Sequence, residues 1–207
     1  QKSFPYKRFI QGNTPSQTDL DHQDRFNNTY DSFNISLGGT FEPTQFVYSH
    51  KSNVTLNEIG FYTIEDSEIG IYNYSDIMFD LYCNNSVENY NISDPMLITA
   101  SNNIVQGASN VVEKARKIME WIRDNIVYEA SEDEEKGASW AYENKKGDCS
   151  EFASLMVTLL RIQNIPARKV SGYLISNNPR LRPRVGQTWT FQFSKTENGN
   201  FLGHAWV

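Results

Sequence analysis

The chain of 207 residues contains only two cysteines, Cys83 and Cys149, and three histidines, His22, His50 and His204. Two thiols cannot build the disulfide framework that holds small secreted domains together. The cysteines and histidines never fall at zinc-ligand spacing, so no metal site and no cofactor is expected. The run Glu132-Asp133-Glu134-Glu135 lacks the alternating ligands and the glycine of a calcium loop, and a solvated acidic loop is the expectation. A formal net charge of −6 argues against a nucleic-acid partner. No apolar run has the length of a membrane-spanning helix. A charged-then-apolar leader is also missing, and the first residue is Gln1 rather than Met; a trimmed precursor or an excised segment is expected.

Asparagine, by contrast, is plentiful. Asn-x-Ser/Thr triplets begin at Asn27, Asn34, Asn53, Asn73, Asn84 and Asn91, and none has proline in the middle. After Asp94 there are none. The asymmetry points to surface glycans and an extracellular or cell-surface setting. The plainer alternative is that an asparagine-rich sequence produces such triplets by chance.

Residues 1–105 read as a β-rich accessory region. The segments Phe33–Leu37, Gln45–Tyr48, Ile59–Ile64 and Ile77–Tyr82 are short, aromatic and β-branched. His22 and His50 stand alone there, and structural or solvated roles are expected for both.

Residues 106–207 read differently. Val112, Ala115, Ile118, Met119, Ile122 and Ile126 fall on one face of a helix expected over about 109–127. A short helix is expected over Ala138–Asn144. A third begins at Cys149. Asp148 has N-cap chemistry, Glu151 falls three residues later at capping-box spacing, and Phe152, Leu155, Met156, Leu159 and Leu160 follow at helical spacing. That helix should stop near Asn164, before Ile165-Pro166. Strands are expected at Ala167–Ile175, Thr188–Phe193 and Phe201–Val207, the last two joined by a turn at Glu197–Asn200. Arg180, Arg182 and Arg184 lie in the linker between the first two strands, where an exposed loop is the plain reading and contact with an acidic or glycan substrate the sharper one.

Cys149 carries the chemistry. In Gly147-Asp148-Cys149-Ser150-Glu151-Phe152-Ala153 a polar turn runs into an apolar helix, so the thiol sits on the first helical turn. Unpaired N–H groups and the positive end of the helix dipole favour a thiolate there, which is how a cysteine nucleophile is made. The bland alternative is a small buried apolar residue. Cys83, in Leu81-Tyr82-Cys83-Asn84, is expected to be free and structural.

The ordered set of motifs resembles the transglutaminase-like superfamily. Ala115 through Ile118-Met119-Glu120-Trp121-Ile122-Arg123-Asp124-Asn125-Ile126-Val127-Tyr128 looks like the helix that opens its core domain. Gly147–Ala153 looks like its nucleophile motif, Ile165-Pro166-Ala167-Arg168 and Val170-Ser171-Gly172-Tyr173 like the strand after it, and Gly203-His204-Ala205-Trp206-Val207 like its histidine motif. The resemblance implies a papain-like α+β core, with a helix-borne cysteine packed on an antiparallel sheet. Cys149 would be the nucleophile and His204 would hold its proton, then pass it to the leaving amine. The Cys149 backbone N–H would be one oxyanion donor. Trp140 is a candidate for the second, with a packed aromatic as the alternative. Tyr173 is expected to bind substrate. In the family an acidic residue on the next strand orients the histidine. No Asp stands in that place here, so the chain is expected to be weakly active or inactive although its parent is an enzyme.

The function expected is an extracytoplasmic, thiol-dependent amide hydrolase or acyltransferase working on a peptide or protein substrate through a thioester. The alternative is a non-catalytic binding or structural cell-surface module that keeps the fold.

Overall fold

The structure is a computed structural model, and it describes residues 6–11, 17–26, 28–34, 49–54, 64–84, 87, 89–130, 134–175 and 201–207. It divides into two compact units, Gln1–Asp66 and Ser67–Val207.

Among the described residues, the first unit holds four strands in two antiparallel pairs. β1 (Tyr6–Gln11) pairs with β4 (Ser49–Val54), in register from Tyr6 opposite Val54 to Gln11 opposite Ser49. β2 (Gln17–Gln23) pairs with β3 (Thr29–Asn34), with an irregularity between Asp19 and His22. The Asp24 carboxylate closes the turn between them, accepting the backbone N–H groups of Phe26 and Asn28 at 2.9 Å. β3 covers the start of the expected strand at Phe33–Leu37. The strand expected at Gln45–Tyr48, and all but the last residue of the one at Ile59–Ile64, lie outside the described residues.

The expectation of a strand at Ile77–Tyr82 is corrected: Ile77–Cys83 is helix α1. A short apolar run does not distinguish strand from helix by itself. Here the Asp76 side chain accepts the Met78 N–H at 2.8 Å and starts a helix. Phe79, Tyr82 and Cys83 then fall on the inward face at a spacing of three and four, while Ile77, Met78 and Asp80 are exposed. A second helix, α2 (Pro95–Ile104), is capped by Asp94 and has proline in its first turn. Residues 67–105 therefore group with the second unit and contribute two helices to it, rather than extending a β-rich region.

The second unit is built around one helix. α5 (Cys149–Ile162) is buried on every side along most of its length, with Leu155, Val157 and Leu159 fully enclosed. Around it pack α1, α2, α3 (Val111–Asn125), α4 (Gly137–Asn144) and the last strand. Leu97, Ile118, Ile122, Ala138 and Ala141 complete the core. α3 starts where Asn110 caps the Glu113 N–H, and its inward residues Ile118 and Ile122 are those the helical spacing selects.

An all-round buried helix needs its polar groups answered from within. Thr158 donates to the Ser154 carbonyl in the preceding turn, and Ser101 of α2 donates to the Leu159 carbonyl at 2.9 Å. Among the described residues, no buried side-chain nitrogen or oxygen lacks a partner.

At its end α5 turns on Asn164, which has the left-handed φ of 55°, and the Ile165 N–H returns to the Leu160 carbonyl. Arg161, 5% exposed, then holds the exit path. Its guanidinium donates twice to the Ala167 carbonyl, at 2.9 and 2.7 Å, once to the Asn84 carbonyl at 2.9 Å, and lies over the Tyr90 ring. Burial pushes its pKa below the usual arginine value. From that anchor the chain enters β7 (Val170–Ile175), which pairs antiparallel with β8 (Phe201–Trp206). The expected strand at Thr188–Phe193, the turn at Glu197–Asn200 and the arginine linker lie outside the described residues.

One further expectation is corrected. Glu135 is not a solvated member of its acidic run. Its carboxylate accepts the Ser154 hydroxyl and pairs with Lys169 at 2.5 Å, where the Lys169 side chain is 12% exposed. A carboxylate near a buried helix is drawn in when a cation and a hydroxyl on that helix need an acceptor. Glu134, beside it, is exposed.

Candidate active site

The turn before Cys149 is fixed by a buried carboxylate. Asp148 is extended (φ −91°, ψ −165°), and its side chain accepts the Ser150 N–H at 2.7 Å. Glu151 reaches back to accept the Asp148 N–H at 3.0 Å, which completes the capping box. Its other oxygen accepts the Lys136 N–H at 2.8 Å, and the residue is 3% exposed. Gly147 leaves room for this: a β-carbon there would overlap the Glu151 β-carbon and stand 2.9 Å from its γ-carbon. Cys149 is thus held at the first position of α5, partly buried and free of any disulfide.

The same turn is tied to the end of α3. β5 (Val127–Tyr128) forms a two-residue parallel pair with β6 (Lys146–Gly147), placing Tyr128 opposite Gly147. The Glu129 N–H donates to the Gly147 carbonyl at 2.9 Å.

His204 comes from β8. It lies opposite Gly172 of β7, and Ala205 lies opposite Ser171. Together with Asp148, Cys149 and Ser150, these residues line a cleft of about 440 Å³. The fold therefore brings Cys149 and His204, 55 positions apart in the chain, to one surface. Trp206, two residues on and so on the same face of β8, stacks on His204 with ring centroids 5.8 Å apart and planes 29° apart. Its ring crosses to Gly172, where a β-carbon would stand 2.7 Å from the indole. Gly172 is thus the residue that lets Trp206 lie against the histidine.

The other residues expected at the site fall elsewhere. Trp140 is half-buried on α4 with the Lys136 ammonium 4.7 Å from its ring centre, and it is not among the residues lining the cleft. Tyr173 is on β7 beside Gly172, with its backbone opposite Gly203; its side chain lies outside the described residues. Ser150, Ser171 and Gly172 also line the cleft; the sequence places them within the quoted motifs but gives them no role there, since side chains that small carry no signal of their own. No group of three or more potential metal ligands occurs among the described residues.

Comparison with known proteins supplies the family. The model of the transglutaminase-like superfamily matches residues 98–207, and the chain belongs to that superfamily. An uncharacterized protein of Bacillus subtilis (strain 168), YebA, is 29% identical over 111 residues, which is 50% of this chain and 14% of that protein. A crystal structure from Cytophaga hutchinsonii, of a protein described provisionally as a cysteine protease, aligns at 22% identity with a TM-score of 0.42. The alignment covers 57% of this chain and 34% of that one.

Cys83, the other thiol, ends α1 and is half-buried. Burial pushes its pKa above the ordinary thiol range, and the Arg161 charge offsets this only in part. A raised pKa leaves less thiolate at neutral pH, because the ionised fraction falls about tenfold for every pH unit below the pKa. Iodoacetamide labelling resolved by peptide mass should therefore modify Cys149 ahead of Cys83 at pH 7. Labelling of Cys83 should rise only as the pH passes the ordinary thiol range. Equal rates for the two thiols at pH 7 would contradict this placement.

Proposed function

We propose that the chain is a thiol-dependent acyl-transfer enzyme that opens amide bonds of a peptide or protein substrate through a thioester on Cys149. The supporting observation is the shared cleft: the thiol at the start of a buried helix and the imidazole of β8 line one surface.

In this reading His204 takes the Cys149 proton and the thiolate sulfur bonds to the carbonyl carbon. The carbonyl electron pair moves onto oxygen, then returns as the C–N bond breaks. His204 gives its proton to the leaving amine, and a thioester remains. Water or a second amine then attacks the thioester, regenerating the thiolate. Water makes the protein a hydrolase; an amine makes it an acyltransferase.

An acyl-transfer assay tests this directly. p-Nitrophenyl acetate should acetylate Cys149 and turn over, with none of that turnover in Cys149→Ala. His204→Ala should lose on the order of 10³-fold or more, as loss of a catalytic base does in comparable triads. Added glycinamide would divide the acyl group between water and amine. Wild type turning over no faster than Cys149→Ala would leave the family fold in a binding or structural module instead.

We further propose an extracytoplasmic location with glycans on the first half of the chain. Asn73, Asn84 and Asn91, each opening an acceptor triplet, are exposed. The side-chain oxygens of Asn73 and Asn91 accept the N–H two residues on, so each triplet forms a surface turn. Protein from its native source should lose mass on endoglycosidase treatment; an unchanged mass would refute this.

A further inference from the structure

The main chain at His204 is held, but that alone does not orient the imidazole. Pairing of β8 with β7 sets His204 opposite Gly172. β8 packs on α5, and Ala205, the next residue, is buried. The ring still turns about two torsions, and the second, about an sp³–sp² bond, is broad. Among the described residues, the contact that addresses the ring itself is the indole of Trp206, with centroids 5.8 Å apart and planes 29° apart. That separation lies in the range where aromatic pairs attract. The indole is confined in turn. It reaches the diagonal position on β7 and lies over Gly172, so close that a β-carbon there would stand 2.7 Å from it. Trp206 is nevertheless 41% exposed and lies outside the core around α5. Its main partners are thus the imidazole and the glycine opposite it.

We propose that Trp206 is a positioning residue: its indole holds the plane of the His204 ring so that a ring nitrogen faces the Cys149 thiol across the cleft. The inference rests on the acyl-transfer reading above. Trp206 is not among the residues lining the cleft, and it makes and breaks no bond. It acts through His204 alone. The imidazole must first take the thiol proton and then give it to the leaving amine. A ring free to swing about its second torsion would spend part of its time out of reach of both, and proton transfer slows as that orientation is lost. Gly172 serves the same end from β7. Its missing side chain is what gives the indole its place beside the histidine. The pair Gly172 and Trp206 therefore sets the ring, while the strand pairing sets only the backbone that carries it.

A double-mutant cycle separates this role from general support of the fold. Acetylation of Cys149 by p-nitrophenyl acetate is followed by peptide mass in wild type, Trp206→Leu, His204→Ala and the double variant. Trp206→Leu should slow acetylation roughly 3- to 10-fold, the equivalent of one lost aromatic pair. In the His204→Ala background the same change should have no further effect, because the group it positions is gone. Trp206→Phe, which keeps an aromatic ring beside the histidine, should recover most of the rate. A Trp206→Leu rate equal to wild type would overturn the assignment and leave the Cys149–His204 reading intact. An equal loss in both backgrounds would also overturn it, by showing that the indole supports the cleft and not the imidazole. So would a Trp206→Phe variant as slow as Trp206→Leu. If wild-type Cys149 is acetylated no faster than Cys83, the acyl-transfer reading fails and this assignment with it.

Discussion

The carboxylate of Glu151 sits where three segments of chain meet. It accepts the N–H of Asp148 from the turn before the helix and the N–H of Lys136 from the entry to α4, and it does so almost wholly shielded from water. A buried charge is costly unless such donors surround it, so this one carboxylate fixes the geometry of all three segments at once. The absence of a side chain at Gly147 follows from it, because the Glu151 stem occupies that space. So does the position of β6, and through the β5–β6 pair that of Tyr128. The local order at Cys149 is therefore a consequence of packing around its neighbour, not of anything the thiol does for itself.

The far wall of the cleft is set from the other end of the same helix. Arg161 answers the Ala167 and Asn84 carbonyls with its guanidinium and so determines where the chain turns back. Lys169, paired with Glu135 beside Ser154, secures the next step of the path. β7 then runs alongside β8, and Gly172 admits Trp206 to the face of His204. Cys149 and His204 thus both refer to one element, α5: the thiol through its first turn, the imidazole through the strand pair that its last turn launches.

What can be read from the sequence follows the range of the interactions. The helix start at Asp148–Glu151 is legible because a capping box is local, and α3 and α4 are legible because their periodicity or capping is local too. The juxtaposition of Cys149 with His204 is not a pattern in the sequence at all; it comes from resemblance to a family whose motifs occur in the same order. α1 reads wrongly as a strand because seven residues of mixed apolar character satisfy either period, and its deciding feature is a single aspartate cap. Glu135 reads wrongly as solvated because its partners, Ser154 and Lys169, lie 19 and 34 residues away. Tyr128 is visible in the sequence only as the end of a helix motif. Its placement opposite Gly147 depends on a two-residue parallel pair too short to leave a periodic signature.

Everything proposed for the cleft depends on Cys149 and His204 acting as one ionising pair. Alkylation of Cys149 by iodoacetamide at pH 7, followed by peptide mass in wild type beside His204→Ala, tests this most directly. Wild type should react at least about tenfold faster than His204→Ala. Equal rates in the two proteins would mean that the two groups share a cleft without sharing a proton.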